Sequence, residues 1–149
     1  MPVDAAYVAG FLDGEGSIML IGHGTWRESI GLRVVIAQSE KNRAILDWIS
    51  KITNIGNSTL KKAQNSKQDN GLTWACHADA AEGLLIQLLP FLKIKKKQAE
   101  LGIKFQSQLR KPEYKSNTVL QKAAQNRMKF MNKRGKPEFT YQLTCTAGG

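Results

Sequence analysis

Soft metal ligands are scarce in this chain of 149 residues, which has two cysteines, Cys76 and Cys145, and two histidines, His23 and His77. None of the four falls at a zinc-type spacing, and two cysteines make no disulfide framework. A bound metal is therefore expected to be oxygen-ligated and the compartment reducing. Long apolar runs are lacking as well. No window approaches the ~18 residues that a membrane span requires, and the opening Met1-Pro-Val-Asp-Ala-Ala-Tyr7 lacks the basic-then-apolar layout of a signal peptide, which predicts an intracellular protein with no membrane partner. Acidic residues are few, twelve against twenty-two Lys and Arg, for a formal charge of +10. That imbalance points to a polyanionic partner, nucleic acid before membrane. The 42% hydrophobic content suffices for one core, so one domain is expected over residues 1–135, leaving 136–149 as a tail with no assigned function.

What is present is a repeating order of elements. Asp4 is placed to cap a first helix through Tyr7, Val8, Phe11 and Leu12, interrupted by Gly14 and Gly16. Ser17–Ile21 reads as a strand, 22–29 as a hairpin loop and Ile30–Gln38 as the returning strand, in which Leu32, Val34 and Ile36 alternate with Gly31, Arg33 and Val35. Ser39 caps a helix carrying Ile45, Leu46, Ile49 and Ile52 at helical spacing, stopped at Asn54-Ile-Gly-Asn57. Asn57–Ala63 and Gly71–His77 form a second strand pair, and Asp79 opens a Leu-rich helix that ends before Pro90. Two further helices, near Lys95–Arg110 and Asn117–Met131 with a break at Lys111-Pro-Glu113, read as peripheral additions. The pattern predicts an α+β fold of order αββαββα: one four-stranded antiparallel sheet with helices on a single face.

The other sheet face is then open. Alternation puts Arg33 on it, with Lys61 if Leu60 points inward, and a cationic open face suits a DNA groove. Candidates for base contact there are Ser29, Arg33, Lys61 and Thr73, with Trp26 and Arg27 in the first loop, while Met19, Ile21 and Val35 offer apolar contact. Lys93, Lys95 and Lys96 are candidates for phosphates. The first helix has its own asymmetry: Ala6, Gly10, Asp13 and Gly14 make a small-residue face on which a second helix backbone can approach closely. A helix-interior glycine otherwise costs roughly 1 kcal/mol relative to alanine.

The segment Val8-Ala-Gly-Phe-Leu-Asp-Gly-Glu-Gly16, followed by Ser17-Ile18, resembles the signature motif of the LAGLIDADG homing endonucleases. The element order and the segment Pro90-Phe-Leu-Lys-Ile-Lys-Lys-Lys-Gln-Ala99 extend the likeness over roughly residues 5–131. The resemblance implies a site-specific double-strand DNA endonuclease in which Glu15 is the metal-binding acid, the Gly14 carbonyl a further ligand, Asp13 a structural residue, and Gln38 and Lys97 surround the attacking water. Aspartate is usual at the acid position, and glutamate sets the carboxylate ~1.5 Å farther out, one C–C bond. A further position, often basic in that family, falls on Asn42 or Arg43.

Hydrolysis of a phosphodiester adds charge to an anion, so Mg²⁺ is the expected cofactor, Mn²⁺ a substitute, and Ca²⁺ an ion that binds without supporting cleavage. One copy of the motif in a chain too short for two units implies a C2 homodimer and a near-palindromic target. Two sheets of strands about ten residues long, rising ~3.3 Å per residue, cover on the order of twenty base pairs. The alternatives are an RNA-binding intron maturase, since some members of that family serve that role, and a DNA-binding regulator whose cleavage site has decayed.

Overall fold

A computed structural model describes residues 2–23 and 29–133. The chain runs α1 (Pro2–Glu15), β1 (Gly16–His23), β2 (Ser29–Ser39), a 3-10 turn (Glu40–Asn42), α2 (Arg43–Thr53), β3 (Asn57–Lys61), β4 (Gly71–His77), α3 (Ala78–Leu88), a second 3-10 turn (Leu89–Phe91), α4 (Lys96–Gln108), α5 (Pro112–Lys115) and α6 (Thr118–Met131). The expected αββαββα order is present, with three helices after it. No helix among the described residues is long and apolar enough to cross a membrane.

The four strands form one antiparallel sheet in the order β1-β2-β4-β3. Ile18 faces Val34 and Leu20 faces Leu32 across the first ladder, and Val34 faces Cys76 and Ile36 faces Trp74 across the second. Because side chains alternate along a strand, this register puts all of these residues on one face, where they are buried. Helix α4 lies close against that face: a Cβ on Gly102 would come within 2.8 Å of Leu32 Cδ1.

Several boundaries differ from expectation for local reasons. Helix α1 begins at Pro2, whose fixed φ suits a first turn, and Asp4 sits inside that turn rather than before it. The helix also continues through Gly14. Ser39 caps the 3-10 turn, accepting from the Lys41 backbone N–H at 3.3 Å, and α2 starts only at Arg43. Strand β3 stops at Lys61, short of the expected Ala63, whose N–H donates to Asn70 Oδ1 at 2.8 Å.

The C-terminal helices are not peripheral. Ala99, Phe105 and Met128 belong to the core cluster. Helix α6 lies along the β1 edge of the sheet, where Gln125 Nε2 donates to the Leu20 carbonyl at 3.1 Å and Asn132 Nδ2 to the Ile18 carbonyl at 2.8 Å. An edge strand leaves such groups unpaired, and here amide side chains satisfy two of them.

Candidate functional site

The end of α1 is built around one buried carboxylate. Val8, Ala9 and Leu12 point into the core, and Asp13 joins them at 8% exposure. Its oxygens accept from the backbone N–H groups of Lys93 at 2.8 Å and Lys95 at 2.9 Å, which ties the segment before α4 to the end of α1. The Lys95 ammonium returns to the Asp13 carbonyl at 2.5 Å, one of the last carbonyls that a helix cannot pair within itself. Burial pulls the Lys95 ammonium below its ordinary pKa, and the charges of Asp13 and Glu15 oppose that pull. These contacts explain why the helix passes through Gly14 instead of fraying there.

With Asp13 committed, Glu15 is the carboxylate at this helix end that faces solvent. The C-terminal end of a helix carries partial negative charge, so Glu15 and the terminal carbonyls together favour a cation. Among the described residues no group of three or more His, Cys, Asp or Glu side chains is arranged to hold a metal. Gly16 fixes the turn that follows: a Cβ there would overlap Leu12 Cδ1 and lie 2.9 Å from the Leu12 carbonyl oxygen.

The first ladder brings in the next group. Gly16 pairs with Ile36, so the end of α1 and the last residues of β2, Ala37 and Gln38, lie at the same end of the sheet. Gln38 Oε1 accepts from Asn42 Nδ2 at 2.9 Å, whereas the Arg43 guanidinium lies 3.5 Å from Glu40. Asn42 is thus the residue of that pair that joins the cluster.

Two placements correct the sequence reading. Asp13 is not on the exposed small-residue face of α1, because its carboxylate is turned inward to the Lys93 and Lys95 amides; that face consists of Ala6, Gly10 and Gly14, flanked by Val3 and Tyr7. Lys97 is not brought to the end of α1. It lines a hollow between α4 and α6 with Glu100, Lys104 and Arg127, because α4 turns Ala99, Gly102 and Phe105 to the core and positions 97, 100, 101 and 104 share the opposite side. The lysine that reaches the cluster is Lys95, one residue before α4. The inward spacing of 99, 102 and 105 was the available signal for that choice.

On the open sheet face the register places Ser29, Arg33, Lys61 and Thr73, along with Met19, Ile21, Val35, Ala37 and Ala75. Arg33 lies between Met19 of β1 and His77 of β4, and its Nε is buried without a hydrogen-bond partner. Lys93 and Lys96 are exposed. Trp26 and Arg27 lie outside the described residues.

Comparison with known proteins gives the following. Residues 8–93 match the family model described as LAGLIDADG endonuclease. The structure is similar to that of the homing endonuclease I-CvuI in complex with its target in the presence of Ca, with a TM-score of 0.70 at 20% identity over 94% of this chain and 87% of that one. It is similar as well to the archaeal intron-encoded homing endonuclease I-Vdi141I complexed with DNA, with a TM-score of 0.71 at 18% identity over 93% and 89% of the two chains. Against the meganuclease I-AabMI bound to uncleaved DNA the TM-score is 0.61 at 21% identity, covering 78% of this chain and 40% of that one. No curated protein gave a match.

Proposed function

The chain belongs to the LAGLIDADG endonuclease family, and on that premise we propose that it cuts duplex DNA at a specific site, as a homodimer, with a divalent metal ion. The observation that carries this reading is the exposed Glu15 carboxylate at the end of α1, beside the terminal carbonyls of the helix and in the field of Lys95.

The donor set fits a hard cation. Glu15 and the Gly14 carbonyl would hold Mg²⁺, an ion that keeps several waters and needs few protein ligands; phosphate oxygens and the second protomer complete the shell. When bound, the ion supplies positive charge against the phosphate. Mn²⁺ is the expected substitute, and Ca²⁺ the ion that supports binding without cleavage. The Lys95 ammonium offsets charge developing on the phosphate, a role that belongs to this residue rather than to Lys97. Asn42 fixes the Gln38 amide through its oxygen, leaving the amide nitrogen to orient a water.

The homodimer follows from α1. Its outward residues Val3, Ala6, Tyr7, Gly10 and Gly14 carry no charge while its inward face is already buried, so an uncharged stripe of the helix is left to be covered. A Cβ at Gly10 or Gly14 would meet nothing within 4 Å in the protomer, which leaves room for a second backbone. Two copies related by a two-fold axis bring their Glu15 residues towards one another and imply a near-palindromic site on the order of twenty base pairs. The open sheet faces enter the major groove. There Arg33 bonds guanine, and the apolar Val35, Ala37 and Ala75 meet thymine methyl groups.

The test is selection of cleaved sites from a randomised duplex library in Mg²⁺, Ca²⁺ or no metal. Cleavage is expected in Mg²⁺ alone. On a selected site, Glu15→Gln retains binding and loses cleavage, and Lys95→Met lowers the rate at saturating DNA by about 100-fold or more while Lys97→Met does not. Binding without cleavage by the wild type in Mg²⁺, or equal cleavage by wild type and Glu15→Gln, refutes the reading.

A further inference from the structure

The net positive charge of the chain is not where the sheet is. Residues 1–95 carry ten Lys and Arg against nine Asp and Glu, whereas residues 96–133, the span of α4 to α6, carry ten against two. The open sheet face holds two full cations among the described residues, Arg33 and Lys61. Most of the attraction for a polyanion therefore originates on the C-terminal helices.

Those helices also form a shaped surface. Lys97, Lys104 and Arg127, beside a single acid, Glu100, rim the hollow between α4 and α6, whose floor includes Leu101, Tyr114 and Met131. The hollow lies on the far side of α4 from Gly102, which faces Ile18 and Leu32 of the sheet. Helix α4 packs on the covered face of the sheet, opposite the face that carries Arg33 and Lys61.

We propose that the α4–α6 hollow is a second nucleic-acid site, distinct from the duplex-reading sheet, and that it takes an unpaired strand. The rim supplies cations for phosphates at intervals along the strand. The apolar floor distinguishes the occupant: a duplex presents sugar and phosphate outward, while an unpaired strand presents base faces that cover apolar and aromatic side chains. This goes beyond the endonuclease reading, and it survives if Glu15 supports no cleavage.

The experiment uses the full chain and a fluorescent oligothymidylate of about twenty nucleotides, longer than the roughly 4–16 nucleotides such sites occupy. Anisotropy is measured across a salt series for the wild type, for Lys104→Glu/Arg127→Glu, and for Arg33→Gln/Lys61→Gln. Lys61, Lys104 and Arg127 are exposed and Arg33 is half-buried, so circular dichroism melting verifies the fold of each variant. The hollow variant is expected to bind at least about tenfold more weakly at low salt, and its log–log salt slope to shrink by about 1.4, from two phosphates at roughly 0.7 each. The sheet variant should bind the oligonucleotide like the wild type and lose affinity for a random duplex instead. Unchanged oligonucleotide binding by the hollow variant overturns the proposal, as does an equal loss in the sheet variant. So does displacement by polyglutamate as effective as that by unlabelled oligonucleotide, which would mark the hollow as a surface for acidic peptides.

Discussion

Asparagine at position 13 keeps the shape of the Asp13 side chain and removes its charge. In the native structure both carboxylate oxygens accept backbone N–H groups, from Lys93 at 2.8 Å and Lys95 at 2.9 Å, at a side chain only 8% exposed. Asparagine can serve one of these donors with its oxygen but presents an NH₂ group to the other. One charge-assisted bond of about 1.5–3 kcal/mol is then lost with a buried N–H left unpaired, and the second weakens to the neutral value of about 1 kcal/mol. The net cost is about 3 kcal/mol. For a chain of this size each kcal/mol moves the midpoint by about 2–4 °C, so Asp13→Asn should melt about 6–12 °C below wild type by circular dichroism. Urea unfolding should show a lower midpoint and an unchanged slope, since the surface exposed on unfolding is the same. A melting temperature within about 2 °C of wild type would refute the claim that this carboxylate fastens the end of α1 to the segment before α4.

Three further outcomes are expected. Gly10→Leu leaves the melting of the protomer fold within about 1 kcal/mol of wild type, since its Cβ meets nothing within 4 Å and leucine favours a helix. The same change abolishes the dimer, so sedimentation at an unchanged dimer mass contradicts the α1 interface. Burial pushes the Cys76 thiol up to about 12, against 9.0 for an ordinary thiol. With the folded value above the unfolded one, its contribution to stability is full below pH 9.0 and is lost as pH rises towards 12, by about 1.4 kcal/mol per unit. Cys76→Val should lack that component in urea titrations across the alkaline range, and superimposable pH profiles for the two proteins would count against it. Gly56 has φ +83° and lies against the Trp74 ring, which a Cβ would overlap. Gly56→Ala should cost about 2–4 kcal/mol from left-handed backbone strain plus overpacking and should alter Trp74 fluorescence; a stability equal to wild type would exclude both causes.

Much of the fold was legible because it depends on periodicity. The alternation of Leu32, Val34 and Ile36 and the helical spacing of Ile45, Leu46 and Ile49 are local patterns that survive into the sheet and α2 unchanged. The inward turn of Asp13 was not legible as geometry, because its partners are backbone amides eighty residues away and leave no trace in side-chain pattern. The family resemblance implied a structural role for it by another route. The lysine run failed for a related reason. Lys95, Lys96 and Lys97 are chemically alike, and only the start of α4 between the first and second separates the one that turns back to α1 from the one that faces α6. The docking of α6 was hidden as well. The two C-terminal helices read as peripheral additions, yet Gln121 and Gln125 are both buried, Gln121 bonding the carbonyls of Tyr114 and Lys115 in α5 and Gln125 that of Leu20 in distant β1.

The attachment of α6 to β1 has a bearing on how such a protein changes over time. Gln125 and Asn132 grip the carbonyls of Leu20 and Ile18, main-chain atoms that every amino acid possesses. The clamp therefore does not depend on which side chains β1 displays on its open face. Ser17, Met19 and Ile21 can be exchanged without weakening the bonds that hold the strand's edge. Mutation can then change the face that β1 would offer to DNA, one position at a time, while the clamp on its edge is kept.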